Sequence, residues 1–128
     1  MKLPIVDENS IEAIPLRGRQ LRWIVTKENT EAQHCTMCVI HMQPGETARP
    51  AHSHPNGEEV IYIVQGSGKI MIDGVVEPVE EGCTILIPQG KIHMLRNSGG
   101  TEMKAACFFA PPSDLSTYLA YEDVQFPD

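Results

Sequence analysis

Short apolar runs alternate with turn-forming residues along the chain, and the runs are too brief and too regularly interrupted for amphipathic helices. Residues 21–26 (LRWIVT) and 35–42 read as strands, with a polar loop at 27–33 between them and Pro44-Gly45 stopping the second. Residues 49–54 are short and extended. The turn Pro55-Asn56-Gly57 then leads into 59–65 (EVIYIVQ), whose β-branched residues suit a buried strand. After a turn at 66–68, residues 69–72 and 75–79 flank Asp73-Gly74, a strong two-residue hairpin signal. Strands at 84–87, 92–96 and 102–109 follow, separated by turns at 88–90 and 98–100, and Pro111-Pro112 ends the series. In the tail, 114–121 reads as one short helix with Asp114 near its cap. Residues 1–19, broken by Pro4, Pro15 and Gly18, read as an arm with room for one short strand. Strands recurring every roughly 8–12 residues, with no crossover helix, predict an antiparallel sandwich or barrel.

Length adds that 128 residues fit one domain, taken as 1–128, with a barrel core at about 20–110, an arm at 1–19 and a tail at 111–128. Ten Gly and ten Pro agree with many turns. The 17 acidic residues outnumber 10 basic ones and no Lys/Arg run occurs, which argues against a nucleic-acid partner. No apolar run approaches the ~20 residues of a membrane span, and the first ten residues lack the apolar centre of a signal peptide. A cytoplasmic protein is the expectation, so Cys35, Cys38, Cys83 and Cys107 are not expected to form a disulfide framework. Cys35 and Cys38 make a CxxC pair, but on an extended segment residues i and i+3 face opposite sides and their sulfurs diverge.

The candidate chemistry starts at His52 and His54. On a strand, i and i+2 share a face with Cα atoms roughly 6.5 Å apart, so two imidazoles can close on one ion. The turn at 55–57 brings the next strand back beside them, and a carboxylate there reaches the same ion. Glu58 and Glu59 both qualify; they face opposite ways, and apolar residues of either parity follow, so parity does not choose between them. His93 follows the turn at 88–90. Alone it reads as a hydrogen-bonded structural residue, but the upstream cluster makes it a ligand candidate. On the last strand, either Ala105, Cys107 and Phe109 or Ala106 and Phe108 face inward. His34 and His41 read as exposed strand residues.

These residues fall into a pattern. Gly45, His52, His54, Glu59 and Gly66 resemble the first cupin motif, with one extra residue between Gly45 and His52. Gly82, Pro88, Gly90, His93 and Asn97 resemble the second motif without departure. The resemblance spans about residues 20–110. It implies an all-β double-stranded β-helix, or jelly-roll barrel, with a short N-terminal arm and C-terminal tail. It also implies a metal held by His52, His54, Glu59 and His93, the spacing to Gly66 selecting Glu59 over Glu58, and a homodimer. Cys107 is chosen as a pocket residue by likeness to small single-domain cupins.

Three imidazoles and a carboxylate leave open positions on a six-coordinate ion. One divalent metal per chain is expected: Mn, Fe, Ni, Co or Zn. Parity places Ile61, Ile63 and Leu95 with Cys107 around it, in an apolar pocket with no inward cation; Arg22, Arg49 and Arg96 are scattered. The leading expectation is an enzyme acting on a small apolar or aromatic molecule, either a dioxygenase or a lyase or isomerase working through an enolate. The alternatives are a non-catalytic metabolite-binding domain and a sugar or sugar-phosphate isomerase. No catalytic residue beyond the ligands stands out. The arm and the strand at 21–26, with Trp23, are the expected interface, because edge strands need cover.

Overall fold

The structure, a computed structural model, describes residues 2–127. Its described residues form eleven strands: β1 (Ile14–Leu16), β2 (Arg19–Val25), β3 (Thr36–Met42), β4 (Ala51–Ser53), β5 (Glu58–Gln65), β6 (Ser67–Ile72), β7 (Val75–Glu80), β8 (Thr84–Ile87), β9 (His93–Arg96), β10 (Met103–Ala110) and β11 (Leu119–Tyr121). One sheet runs β1-β2-β3-β10-β5-β8 and the other β11-β4-β9-β6-β7, all antiparallel. This is the expected jelly-roll barrel.

Local chemistry explains the turns. β6 and β7 pair Ile72 with Val75 across Asp73 and Gly74, whose φ values of 48° and 85° are those of the tight hairpin turn that Asp-Gly favours. Gly68 lies where an added Cβ would stand 2.0 Å from the Arg96 carbonyl oxygen, so only hydrogen fits. Asn97, fully buried, donates through Nδ2 to the carbonyls of Met42 (2.9 Å) and Thr101 (2.8 Å), satisfying the turn after β9.

The inward faces of both sheets supply one core, with Leu21, Ile40, Met42, Ile63, Ile87, Leu95, Met103 and Phe109 at its centre. Burying each such side chain contributes about 1.5–3 kcal/mol. A smaller cluster lies outside the five-stranded sheet, where Phe126 of the tail covers Ala51, Met71 and Met94. Arg96 caps that patch with its guanidinium 4.2 Å from the Phe126 ring centroid.

Several expectations are corrected. Residues 114–121 do not form a helix. Leu115–Thr117 make one 3-10 turn capped by Asp114, and the chain then extends as β11 along β4. The loop at 27–33 contains a single helical turn, α1 (Lys27–Thr30), capped by Thr26. The strand predicted at 21–26 starts at Arg19, and β1, from the arm, pairs with its first three residues, Arg19 to Leu21, leaving the edge open beyond them among the described residues. Its Trp23 packs inward against the core, 5.7 Å from the Phe109 ring. His41 is not exposed. It is half-buried between Glu8 (3.1 Å) and Glu102 (3.0 Å), anchoring the arm to the barrel.

Candidate metal centre

The two sheets bring four side chains together. β4 and β9 pair His52 opposite His93, and the Gly90 amide donates to the His54 carbonyl at 3.0 Å, holding the turn before β9 against the end of β4. Glu59 reaches across from β5 in the facing sheet. One residue of strand separates two outcomes, for Glu59 is 4% exposed while Glu58 faces solvent. One donor atom from each of His52, His54, Glu59 and His93 lies within 4.8 Å of every other.

Hydrogen bonding prepares this cluster for a cation. His52 Nδ1 lies 3.1 Å from the Pro50 carbonyl and His93 Nδ1 lies 3.1 Å from the Lys91 carbonyl. A carbonyl only accepts, so each Nδ1 carries the hydrogen and each Nε2 presents its lone pair inward. His93 Nε2 then meets Glu59 Oε1 at 3.0 Å, and His54 Nε2 is also 3.0 Å from that oxygen. Acceptor against acceptor at this range repels unless a proton or a cation lies between. His54 is close to Glu59 but poorly aligned: both its ring nitrogens are buried without a hydrogen-bond partner. Orphaned buried nitrogens are costly, by about 1–3 kcal/mol, and a metal would satisfy them. Metal–donor bonds of about 2.1 Å place donors at most ~4.2 Å apart, so closure needs only a few tenths of an ångström. The residues fit a metal ion.

Electrostatics agree. Burial pushes the Glu59 carboxyl up, but donation from the His54 and His93 side, with a proton standing where the cation would, outweighs it and holds the group below its usual range, as a carboxylate. Burial, with His93 adding to it, depresses His52 to about 3, so this ring stays neutral although an edge of the residue reaches solvent.

A cavity of about 30 Å³ adjoins the cluster. Ile61, Leu95 and Cys107 line it, together with Cys38, which pairs directly across from Cys107. The Cys38 thiol and burial push Cys107 well up, so it stays a neutral thiol. Ile63 does not line the cavity; it is wholly buried in the core beyond it. The sequence pattern places no inward cation, and the structure has one. Arg19, on the same face of β2 as Leu21, lines the cavity, whereas Arg49 is exposed. Tyr118 of the tail closes the mouth, stacked on His52 (centroids 4.8 Å, planes 3° apart) and edge-on to His54 (4.3 Å). Burial pushes its hydroxyl up, keeping it protonated. The alternation Arg19, Leu21, Trp23 could have revealed Arg19; nothing in the tail's sequence marked Tyr118.

A two-sheet β-helix barrel holding three histidines and a glutamate at one end defines a class, and the comparisons agree. The cupin domain model matches residues 38–109, and the chain belongs to this family. A relative, polyketide synthase CurC of Streptomyces cyaneus, is 32% identical over 127 residues, covering 99% of this chain and 81% of CurC. Protein SchB of Streptomyces halstedii is 32% identical over 95 residues, 74% of this chain and 68% of SchB. Among solved structures, a predicted oxalate decarboxylase from Thermotoga maritima superimposes with TM-score 0.73 at 20% identity, covering 84% of this chain and 98% of that one. Streptomyces Pac13, a nucleoside dehydratase, gives 0.76 at 15% identity, covering 94% and 92%. At these identities the structures speak for the fold alone. No helix among the described residues is long and apolar enough to cross a membrane.

Proposed function

We propose that this chain is a metal-dependent enzyme that moves a proton beside a carbonyl group of a small polyketide-type molecule, in lyase, isomerase or ring-closing chemistry. The observation that carries the reading is the cluster of His52, His54, Glu59 and His93, aimed at one point with unsatisfied donors and a protonated tyrosine over it. The relation to CurC supplies the substrate class.

Those four residues would hold one divalent ion, which when bound would act as a Lewis acid on a carbonyl oxygen. The chain's own groups do the rest. The backbone carbonyls at Pro50 and Lys91 fix the two imidazoles in one tautomer, so the ligand set is preorganised. Glu59 brings one negative charge to the site. Tyr118 offers a hydroxyl hydrogen to a developing negative oxygen, and the tail that carries it keeps water out.

The test is hydrogen–deuterium exchange at the central carbon of acetylacetone, followed by NMR with protein loaded with Mn, Fe, Co, Ni or Zn. Exchange should exceed that of the same free metal, disappear in His54→Ala, and fall at least ~10-fold in Tyr118→Phe. Exchange no faster than with free metal would remove the enzymatic reading. A second reading, a non-catalytic metabolite-binding domain, is favoured by the cavity lining, which holds no carboxylate or imidazole besides the metal-ligand candidates, although either reading needs the site to open. At about 30 Å³ the cavity has room for roughly one water, far below the ~300 Å³ of a small-molecule site. Saturable binding without exchange would select the second reading. Oxygen uptake by the iron-loaded protein would instead support a dioxygenase. For the assembly we propose the homodimer that the family resemblance implies, which sedimentation would report as about twice 14.2 kDa.

A further inference from the structure

Arg19 is a cation without an anion. It is 9% exposed, it projects into the barrel beside Leu21, and it shares the cavity wall with His52, Glu59, His93 and Tyr118. Its hydrogen bonds use Nη1 alone, to the carbonyls of Arg49 (3.1 Å) and Arg17 (3.3 Å). Nε and Nη2 have no protein acceptor among the described residues. The carboxylate on this wall, Glu59, is already engaged by His54 and His93 at 3.0 Å. The lysine and arginine ion pairs among the described residues lie elsewhere, as Arg17–Glu122, Lys91–Asp73 and Lys104–Glu8.

Buried charges are normally paired. Two carbonyl dipoles do not neutralise a guanidinium, and burial pushes Arg19 down from its usual value. The metal reading sharpens the imbalance. A divalent ion, one carboxylate and one guanidinium would leave two net positive charges around a cavity with room for roughly one water, where charge interactions are strong. An anion restores the balance. A guanidinium with Nε and one Nη free presents parallel donors that match the two oxygens of a carboxylate.

We propose that Arg19 anchors a carboxylate of the molecule this barrel takes, holding it across the cavity from the metal ligands. The proposal rests on the metal-site reading for its charge balance and narrows the substrate to an organic acid. Because the cavity has room for roughly one water and Tyr118 caps it, a carboxylate, acetate included, enters only as the segment carrying Tyr118 swings away from His52.

The experiment is calorimetric titration of the full chain, metal-free and zinc-loaded, with acetate and benzoate against their neutral counterparts acetamide and benzamide. Each wild-type form should bind at least one carboxylate ~10-fold or more tightly than its amide. Arg19→Gln should remove that preference while leaving zinc at one per chain and amide binding within ~2-fold. Arg19→Lys, which keeps the charge and loses the fork, should fall between, and it serves if the glutamine variant does not fold. Equal binding of acid and amide by the wild type overturns the proposal, as does an unchanged preference in both variants. A purely structural Arg19 would lower thermal stability in the variants without moving the acid–amide ratio. Arg19-dependent carboxylate binding without acetylacetone exchange would keep the anchor and remove the enzyme. Exchange with no carboxylate preference would do the reverse.

Discussion

His54 is the side chain with most to gain from a cation, because neither ring nitrogen has another partner. His54→Ala should therefore lower metal affinity by more than the ~10–100-fold carried by outer partners of metal ligands, as read by competition with a chromogenic chelator. His52 sets a pH dependence in the metal-free protein. Its ring titrates at about 3 when folded and near 6.5 otherwise, so below pH 6.5 the unfolded chain binds the extra proton. Stability is then withdrawn as pH falls from 6.5 toward 3, by about 2 kcal/mol at pH 5 from this residue. Glu59 is offset the other way for a carboxyl, below its usual 4.5, so its contribution is present above that value and is lost on further acidification. Urea melts of chelator-treated protein at pH 7 and pH 5 check the sum, and equal midpoints would contradict it. These residues were legible to different degrees. Strand parity alone placed His52 and His54 on one side, and only motif spacing separated Glu59 from Glu58. Arg19 is not legible, because the apolar pattern starts the strand at Leu21, after Gly18. A cation at an apparent strand margin gives no sign that the strand reaches back through it.

At the scale of elements, the tail departs furthest from its sequence pattern. Asp114 and Thr117 form a capping box, a sound local signal for a helix start. The helix does not continue because the edge of β4 offers backbone partners: Leu119, Ala120 and Tyr121 pair with Ser53, His52 and Ala51. That pairing fixes Tyr118 above His52, and Ser53 Oγ lies 3.0 Å from the Tyr121 hydroxyl as a second tie. A tertiary edge thus overrides a local propensity, and no window of the tail alone contains that information. Tyr118→Ala removes three ring contacts, with His52, His54 and Phe109, and the lid of the cavity. It should cost about 2–3 kcal/mol in denaturant unfolding and speed removal of bound zinc by a chelator. Slower or unchanged zinc release would show that another segment controls access. The hairpin at Asp73-Gly74, by contrast, was legible because its turn chemistry is complete within four residues.

For the whole molecule, sequence periodicity gave many strands but not their order. The order matters, since it decides that the ligands come from opposite layers. Glu59 stands on β5 of the six-stranded sheet, while His52 and His93 stand on β4 and β9 of the five-stranded one, with His54 just past β4. A bound ion would therefore join the two sheets at one end of the barrel. At the site, the hydrophobic core already holds those sheets together through Leu21, Ile61, Leu95 and Phe109. The barrel should consequently fold without metal and gain stability by linkage when metal binds only the folded state. At metal concentrations about 100 times Kd the gain is ~2.7 kcal/mol. For a chain of this length that corresponds to a rise in Tm of roughly 8–10 °C. Scanning calorimetry with chelator and with added zinc, nickel or manganese measures it. The increment should vanish in His54→Ala while the melt of the metal-free variant remains cooperative. If the metal-free wild type shows no cooperative melt, the ion is a requirement of folding and the core is weaker than its burial suggests. If metal binds at one per chain without raising Tm, the unfolded chain binds it equally well, and the fold does not preorganise the four ligands.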